Sequence, residues 1–247
     1  MSDRSFGIST RLFRDAPLTR DHLVHIAAHG FDAIELFASP GHVDLGSDAA
    51  VADLAEWLAD TRLRLHAVHA PDTTPAAVTP AIALASRIPY TTLIVHRPAS
   101  HSEKRLHALA AQAAAAGLTV AVEARSGRDD TVAALVAMHE DEEAEAPDVG
   151  LCFDFGHANL TGDVSDALEA ASGHIVTTHV HDNRGRQDDR LVPYAGRIPW
   201  DEAMMEIQKV GYDGALIFEY APSGDPVDVL ARTMKARERL EKAFITF

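Results

Sequence analysis

Cysteine is nearly absent from this sequence of 247 residues, in which Cys152 stands alone. A single thiol cannot form an intramolecular disulfide, so nothing points to an oxidising compartment. The sequence also lacks a charged-then-apolar leader and any apolar run near the roughly 18 residues that a membrane-spanning helix requires. We therefore expect a cytoplasmic protein that does not enter a membrane.

Basic residues are scarce as well. The 22 Lys and Arg residues are outnumbered by 37 Asp and Glu residues, which gives a formal net charge of −15. Proteins that bind a nucleic-acid backbone do so with Lys and Arg side chains that displace counterions, so this charge argues against a nucleic-acid partner. The composition, 47% hydrophobic and 24% charged, is that of a globular protein with a substantial core.

Short apolar runs alternate with amphipathic helical patterns along the whole chain. The runs predict eight strands, over residues 6–10, 33–37, 64–70, 91–96, 118–124, 149–155, 175–181 and 215–220. The helical patterns cover residues 19–29, 48–61, 79–87, 102–116, 129–139, 164–172, 201–210 and 226–243. Eight strand–helix pairs in about 250 residues are typical of one fold. We predict an α/β protein with a single (β/α)8 TIM barrel, formed by residues 1–247 as one domain.

An open, doubly wound sheet is the main alternative fold. Most of the predicted strands are apolar at nearly every position, as in a parallel sheet whose two faces are covered. The doubly wound fold normally uses fewer strands and often has a glycine-rich phosphate-binding loop after the first strand. The stretch FGISTRLF (6–13) contains no such loop, which favours the barrel.

Side chains alternate between the two faces of a strand, so parity predicts which residues line the barrel. Six strands each place one polar residue on the inner face near their carboxyl end: His69, His96, Glu123, Asp154, His179 and Glu219. His181 shares the inner face with His179. By the same rule His66 and Val176 should face the helices. His157 should lie in the loop above the sixth strand and reach the site. Barrel enzymes place their chemistry at this rim.

Three carboxylates, those of Glu123, Asp154 and Glu219, thus converge with several imidazoles at one end of a closed barrel. Burying like charges together is costly unless a positive group neutralises them. A divalent cation would do so, and an oxygen-rich set of ligands suits Mn²⁺, Mg²⁺ or Co²⁺. Salt bridges to nearby arginines are the alternative, and the sequence leaves it open.

Several motifs carry a resemblance to a known family. They are GFDAIELF, VHAP, IVHRP, VEA, DFGHANL, HVHDNRGRQDDRLVPYAGRIPW and IFEY. Together they resemble the xylose-isomerase-like TIM-barrel superfamily, which includes sugar isomerases and epimerases, related enzymes of enediol chemistry, and the endonuclease IV group. The resemblance covers essentially the whole chain, and the long seventh-strand motif, with its proline-glycine loop and tryptophan, is the most specific part.

The resemblance implies roles for the inner-face residues. Glu123, Asp154, His179 and Glu219 would form the common metal shell. His157 would contact substrate or a further metal, and His69 and His96 would match the additional ligands of endonuclease IV-like members. From their positions in the sequence, the other candidates for binding substrate or a second metal are His181, Asp188, Arg125, Arg184 and Arg190; a structural role for His181 is the alternative. Superfamily members commonly associate, so a homo-oligomer is also expected.

Two departures from the family pattern change the expected metal content. Ala124 and Arg125 follow Glu123, where many members have Asn after the glutamate. Asp188, Asp189 and Arg190 stand where three-metal members present Asp-x-His, so a histidine ligand is missing. We expect one or two metal ions, which weakens the nuclease hypothesis.

Arginines cluster after strand ends and in the seventh loop, on the predicted catalytic face. Arg125, Arg184 and Arg190 are among them. This placement predicts an anionic group on the substrate, a carboxylate or phosphate that Arg binds in a bidentate manner. Pairing of these arginines with the site's own acidic residues is an equal alternative.

The leading functional hypothesis is a metal-dependent isomerase or epimerase of a small sugar, polyol or keto acid. Proton transfer would pass through a metal-stabilised enediolate, with Glu123 and Glu219 as the acid/base pair because they stand on separated strands. Dehydration would begin with the same proton abstraction. The expected cofactor is Mn²⁺, with Mg²⁺, Co²⁺ or Zn²⁺ as alternatives. The rival hypotheses are a zinc-dependent, endonuclease IV-like phosphodiester hydrolase and a non-catalytic sugar-binding barrel.

Overall fold

The computed structural model describes residues 4–96, 103–123, 132, 136, 149–222 and 224–244. Eight parallel strands pair in chain order, and the last pairs with the first to close the barrel. The strands are β1 Phe6–Ser9, β2 Ala33–Phe37, β3 Arg64–His69, β4 Thr92–His96, β5 Thr119–Glu123, β6 Val149–Asp154, β7 Ile175–Val180 and β8 Leu216–Phe218. The predicted (β/α)8 TIM barrel is confirmed. That residues 1–247 form one domain stays a prediction.

Helices follow the strands along the chain. Those in the described residues are α1 Arg20–Ala28, α2 Asp48–Thr61, α3 Pro75–Leu84, α4 Glu103–Ala115, α5 Phe155–Thr161, α6 Val164–Ala170, α7 Trp200–Lys209 and α8 Pro226–Phe244. The helix predicted over 129–139 lies outside the described residues, apart from Val132 and Val136, which are helical. In the part of the chain that the structure describes, no helix combines the length and apolar character needed to cross a membrane.

Two helices differ from the prediction. Helix α3 begins at Pro75 instead of residue 79, because proline is tolerated in the first turn of a helix, where its missing N–H is not needed. Helix α5 occupies residues predicted to form a loop. Asp154 caps it, since its Oδ1 accepts a hydrogen bond of 2.8 Å from the backbone N–H of His157. His157 therefore lies in the first turn of a helix.

The apolar residues form two packed regions. The larger one fills the space between barrel and helices, and Trp200, Phe153 and Leu23 are among its fully buried members. A small cluster lies inside the barrel and consists of Ala67, Ile94, Ala121 and Cys152. Each member of this cluster stands two residues before a polar residue of the same strand. The barrel interior is thus layered, with an apolar layer beneath the polar rim.

Strict alternation fails at two β-bulges. Between β2 and β3 the register changes from Ile34 opposite Leu65 to Glu35 opposite Ala67, which leaves His66 as the extra residue. His66 Nε2 lies 3.1 Å from Thr177 Oγ1 on β7, across the barrel. A similar shift between β6 and β7 lets Val176 pack against the interior cluster. The prediction that His66 and Val176 face the helices is therefore wrong.

The loop after β7 is held by one carboxylate. Asp182 accepts hydrogen bonds from the indole Nε1 of Trp200 at 3.0 Å and from the backbone N–H groups of Asn183, Gly196, Arg197 and Ile198. A side chain at position 196 would overlap the Asp182 carboxylate, which explains the glycine there. Backbone hydrogen bonds of 2.7 and 2.8 Å join Asp182 to Leu191. This fixed loop carries Asp188 and Arg190.

Replacement of Asp182 by Ala should destabilise the protein strongly. It leaves several buried N–H donors without an acceptor, at about 1–3 kcal/mol for each donor that water cannot reach. We expect a loss of about 2–4 kcal/mol and a fall in Tm of about 5–15 °C, measured by circular dichroism. Asp53→Ala, at an exposed position on α2, is the control and should change Tm little. Equal Tm values for both variants would contradict this account of the loop.

Candidate metal centre

Four residues that are far apart in the sequence meet at the carboxyl rim of the barrel. Glu123 ends β5, Asp154 ends β6, His179 is the penultimate residue of β7, and Glu219 directly follows β8. All four are 0% exposed. Each offers a ligand atom, and these atoms lie within 4.8 Å of one another. The structure thus brings together the four residues predicted as the metal shell.

Several polar atoms of this cluster lack ordinary hydrogen bonds. Both carboxylate oxygens of Glu123, Nδ1 of His179 and Oε1 of Glu219 are buried without a hydrogen bond of adequate geometry. Nδ1 of His179 lies 3.3 Å from Glu123 Oε1 and 3.5 Å from Glu219 Oε2. Two ligands at about 2.1 Å from one ion are at most about 4.2 Å apart. The separations of His179 from Glu123 and Glu219 therefore fit ligands of one divalent cation.

The charges of the cluster depend on one another. Burial raises the pKa of the Glu123 carboxyl, but the charge of the neighbouring His179 holds that pKa well below its usual value. Burial acts on Glu219 in the same way, and His179 and Arg190 lower its pKa. Burial lowers the pKa of His179, whereas the surrounding carboxylates raise it well above 6.5. The surrounding carboxylates thus favour the charged form of the imidazole, and a bound cation would compete with that proton.

Glu35 belongs to the site and was missed by the sequence analysis. It is 0% exposed, and its oxygens accept hydrogen bonds of 2.8 Å from Ser9 Oγ and from His179 Nε2. Burial raises the Glu35 pKa, yet His179 lowers it to about 2. Because Glu35 holds Nε2–H, Nδ1 of His179 faces the shell. The signal for Glu35 was a single charge within the apolar run AIELF (33–37).

His69 and His96 form a second set of ligand-type residues with Glu123. Oε2 of Glu123 lies 3.4 Å from His69 Nε2 and 2.8 Å from His96 Nδ1. On its other side, Nδ1 of His69 lies 3.6 Å from both Glu35 and Glu219. Burial lowers the pKa of His69, but Glu219 and Glu35 raise it to about 9. The predicted proximity of His69 and His96 to the shell is thus observed.

His157 and His181 form a third set with Asp154. His157 Nδ1 lies 3.1 Å from Asp154 Oδ2, and His181 Nε2 lies 3.0 Å from Asp154 Oδ1. Asp188 approaches from the outer side, 3.4 Å from His157 Nε2 and 3.7 Å from His181 Nδ1. Burial lowers the pKa of His157, but Asp154 and Asp188 raise it to about 9. His157, His181 and Asp188 therefore all lie at the site.

The predicted arginines differ in their positions. Arg190 enters the cluster and contacts the carboxylates of Glu219 and Asp188. Arg184 pairs with Asp189 at 3.7 Å and is 66% exposed, so it lies on the outside of the loop. Arg125 lies outside the described residues. Glu219 thus pairs with an arginine, which was the alternative to a metal ion, whereas Glu123 and Asp154 face histidines.

Gly156 sets the position of the His181 ring. A Cβ on Gly156 would overlap that ring, so Gly156→Ala should move His181 away from Asp154. We expect a loss of about 10–100-fold in metal affinity, measured by calorimetric titration with Mn²⁺. Gly162→Ala, at the residue that follows α5, is the matched control, because its Cβ would meet no atom within 4 Å and its φ of 175° is extended. Unchanged affinity in Gly156→Ala would show that His181 does not support the centre.

Comparison with known proteins agrees with the fold. The family model described as "Xylose isomerase-like TIM barrel" matches residues 23–242. A D-tagatose 3-epimerase-like protein superposes with a TM-score of 0.80 and 22% identity over 98% of this chain and 97% of its own. D-psicose 3-epimerase, solved with D-fructose, gives a TM-score of 0.75 and 18% identity over 97% and 99%. The IOLI protein with a bound zinc atom gives 0.80 and 16% over 98% and 100%.

Curated relatives match over shorter stretches. Uncharacterized protein y4fM of Sinorhizobium fredii is 41% identical over 73 residues, which are 29% of this chain and 23% of that protein. A putative hydroxypyruvate isomerase of Streptomyces coelicolor is 34% identical over 77 residues, 30% of this chain and 25% of that protein. These matches span about a quarter of each relative's length. Because the family model covers most of the sequence, the chain belongs to the xylose isomerase-like TIM barrel family.

Proposed function

We propose that this chain is a divalent-metal-dependent isomerase or epimerase of a small sugar, polyol or keto acid. The observation that carries the proposal is the fully buried set of Glu123, Asp154, His179 and Glu219 at the rim where barrel enzymes act. The neighbours described as a D-tagatose 3-epimerase-like protein, a D-psicose 3-epimerase and a putative hydroxypyruvate isomerase support this class of reaction.

These four residues would hold the metal ion. Their mixture of carboxylates and one imidazole suits Mn²⁺ first, with Mg²⁺, Co²⁺ and Zn²⁺ as alternatives. When bound, the ion supplies a Lewis acid that polarises adjacent substrate oxygens and stabilises the negative charge left by proton removal. Glu35 keeps His179 oriented for this task through its hydrogen bond of 2.8 Å to Nε2.

Glu123 and Glu219 are proposed as the acid/base pair. They come from β5 and β8, which are three strands apart around the barrel, so they approach the substrate from different sides. Inversion at a carbon requires removal of its proton on one face and return of a proton on the other, which two separated carboxylates provide. The lowered pKa of both carboxyls leaves each able to act as the base at neutral pH. The carboxylate that acts as the acid would first take a proton from water, and it would deliver that proton to the opposite face of the carbon.

His157 and Arg190 are proposed to hold the substrate. His157 has a side chain that is 8% exposed and lies at the outer side of the cluster, where a substrate oxygen would arrive. The Arg190 guanidinium carries donors suited to a carboxylate or a hydroxyl. A small molecule is therefore the proposed partner, with no nucleic acid. A cytoplasmic location and a homo-oligomer stay predictions.

One observation favours a second function. His69 and His96 lie close enough to Glu123 to bind a further ion, as a zinc-dependent phosphodiester hydrolase of the endonuclease IV type would require. The formal charge of −15 opposes binding to duplex DNA. Nicking of an abasic duplex, together with more than one tightly bound zinc ion, would support the hydrolase.

The proposed reaction is tested by proton exchange. The metal-loaded protein is incubated in deuterated water with D-fructose, D-psicose, D-tagatose or hydroxypyruvate, and NMR follows loss of the carbon-bound proton and formation of the isomer. Exchange and conversion of one of these compounds would support the isomerase. Tight binding of a sugar without any exchange would favour the non-catalytic barrel instead.

Metal binding should stabilise the folded chain. Mn²⁺ at about 100 times its dissociation constant adds about 2.7 kcal/mol, which raises Tm by about 5–10 °C. Glu123→Gln should lose most of this shift, because it removes a charged ligand from the buried set. Glu206→Gln, at a partly buried position of α7 that pairs with Lys209 and lies outside the cluster, is the control and should keep the shift. A wild-type Tm that no divalent ion changes would refute the metal centre.

Glu219→Gln should abolish most of the turnover without unfolding the protein. The amide keeps the shape of the side chain but cannot accept a proton, so kcat should fall by about 10²–10⁴-fold. The measurement is the initial rate on the compound that exchanges fastest, with Glu206→Gln again as the control. Near-normal kcat in Glu219→Gln would remove this residue from the mechanism.

A further inference from the structure

Arg190, which cannot bind a metal ion, lies inside a cluster of side chains of the types that do. Its Nε lies 2.8 Å from Asp188 Oδ2, its Nη2 lies 3.4 Å from His157 Nε2, and its Nη1 contacts Glu219. The side chain is only 8% exposed. A fixed positive charge is therefore enclosed by three groups that each belong to the types that bind metals.

The groups around the guanidinium have the spacing of ligands to one ion. His157 Nε2 and Asp188 Oδ2 are 3.4 Å apart, and two ligands at about 2.1 Å from a cation are typically about 3.0–3.4 Å apart. His181 is fully buried, and its Nδ1, which makes no hydrogen bond, lies 3.7 Å from Asp188 Oδ1. A cation held by His157 and Asp188 would lie where Arg190 now contacts both side chains, with His181 beside Asp188.

The backbone of the loop after β7 places Arg190 there. Its φ of 47° is in the left-handed region, which non-glycine residues adopt only where the surrounding structure holds them. The next residue, Leu191, is paired with Asp182 by two backbone hydrogen bonds. The guanidinium is thus directed inward by the same fixed loop that carries Asp188.

We propose that the Arg190 guanidinium occupies a second cation position of this centre, beside His157, Asp188 and His181, and there replaces a metal ion. This inference rests on the metal centre of the proposed function. A guanidinium offers hydrogen-bond donors and one positive charge, but no open coordination position at which water could become a nucleophile. On this side the site binds and orients a substrate, which suits an isomerase better than a hydrolase.

The inference is tested by the number of bound ions. Wild-type protein and Arg190→His are saturated with Mn²⁺ or Zn²⁺, freed of excess metal and analysed for metal per chain. Histidine tolerates left-handed φ and supplies a ligand, so we expect Arg190→His to bind one more equivalent than wild type. The additional Mn²⁺ should also appear in the EPR spectrum as magnetic coupling between two neighbouring ions.

Three further variants locate the additional ion. Asp188→Asn combined with Arg190→His should lose the additional equivalent, and Arg190→Lys, which keeps the positive charge, should not gain it. Arg186→His places a histidine at an exposed position of the same loop and should bind as wild type does. If Arg190→His fails to fold, Arg190→Ala replaces it, with an additional ion of lower affinity expected because His157, Asp188 and His181 remain.

The outcomes separate this inference from the proposed function. No additional ion in Arg190→His and Arg190→Ala, while wild type binds at least one, overturns the inference alone. An additional ion that persists without Asp188 also overturns it. A wild-type chain that binds no ion overturns the metal centre, and the inference with it.

Discussion

The structure depends on the neutralisation of carboxylates buried at one end of the barrel. Glu35, Glu123, Asp154 and Glu219 are all withdrawn from water, and each faces an imidazole, a guanidinium or both. Burying these charges unpaired would cost far more free energy than the whole free energy of unfolding of a protein of this size. The histidines and Arg190 therefore balance the acidic groups, and a divalent ion would complete that balance.

The barrel interior has an apolar layer below and a layer of buried charged residues at the rim. Small and apolar side chains fill the barrel below the rim. The polar residues lie directly above this packed layer, at the carboxyl ends of the strands. Two features outside the strands complete the site. Helix α5 brings His157 over Asp154, and the loop held by Asp182 brings Asp188 and Arg190 over His157. Every element that contributes a ligand-type group is itself fixed by packing or by hydrogen bonds.

The sequence predicted the barrel and most of its rim because both follow from periodicity. Alternation along strands was enough to place Glu123, Asp154 and His179 on the inner face, and the structure brings them together. It could not place His66 or Val176, because each is the extra residue at a bulge, where alternation between the two faces fails. Glu35 was missed for a related reason, since it stands at the bulge within an otherwise apolar strand. Pairing between Arg190 and Glu219 depends on a loop conformation that no local pattern reveals.

The order of the rim residues along the chain has a consequence for how the protein folds. Glu35 comes from the second strand and Glu219 follows the eighth, so their shared partner His69 meets both only after the first and last strands have paired. No fragment that lacks either end can assemble the complete ring of charges. Such distant contacts slow folding, because the ends of a long loop must meet before the contacts contribute. Binding of the proposed metal ion would therefore accompany the closure of the barrel and would favour the closed chain over open intermediates.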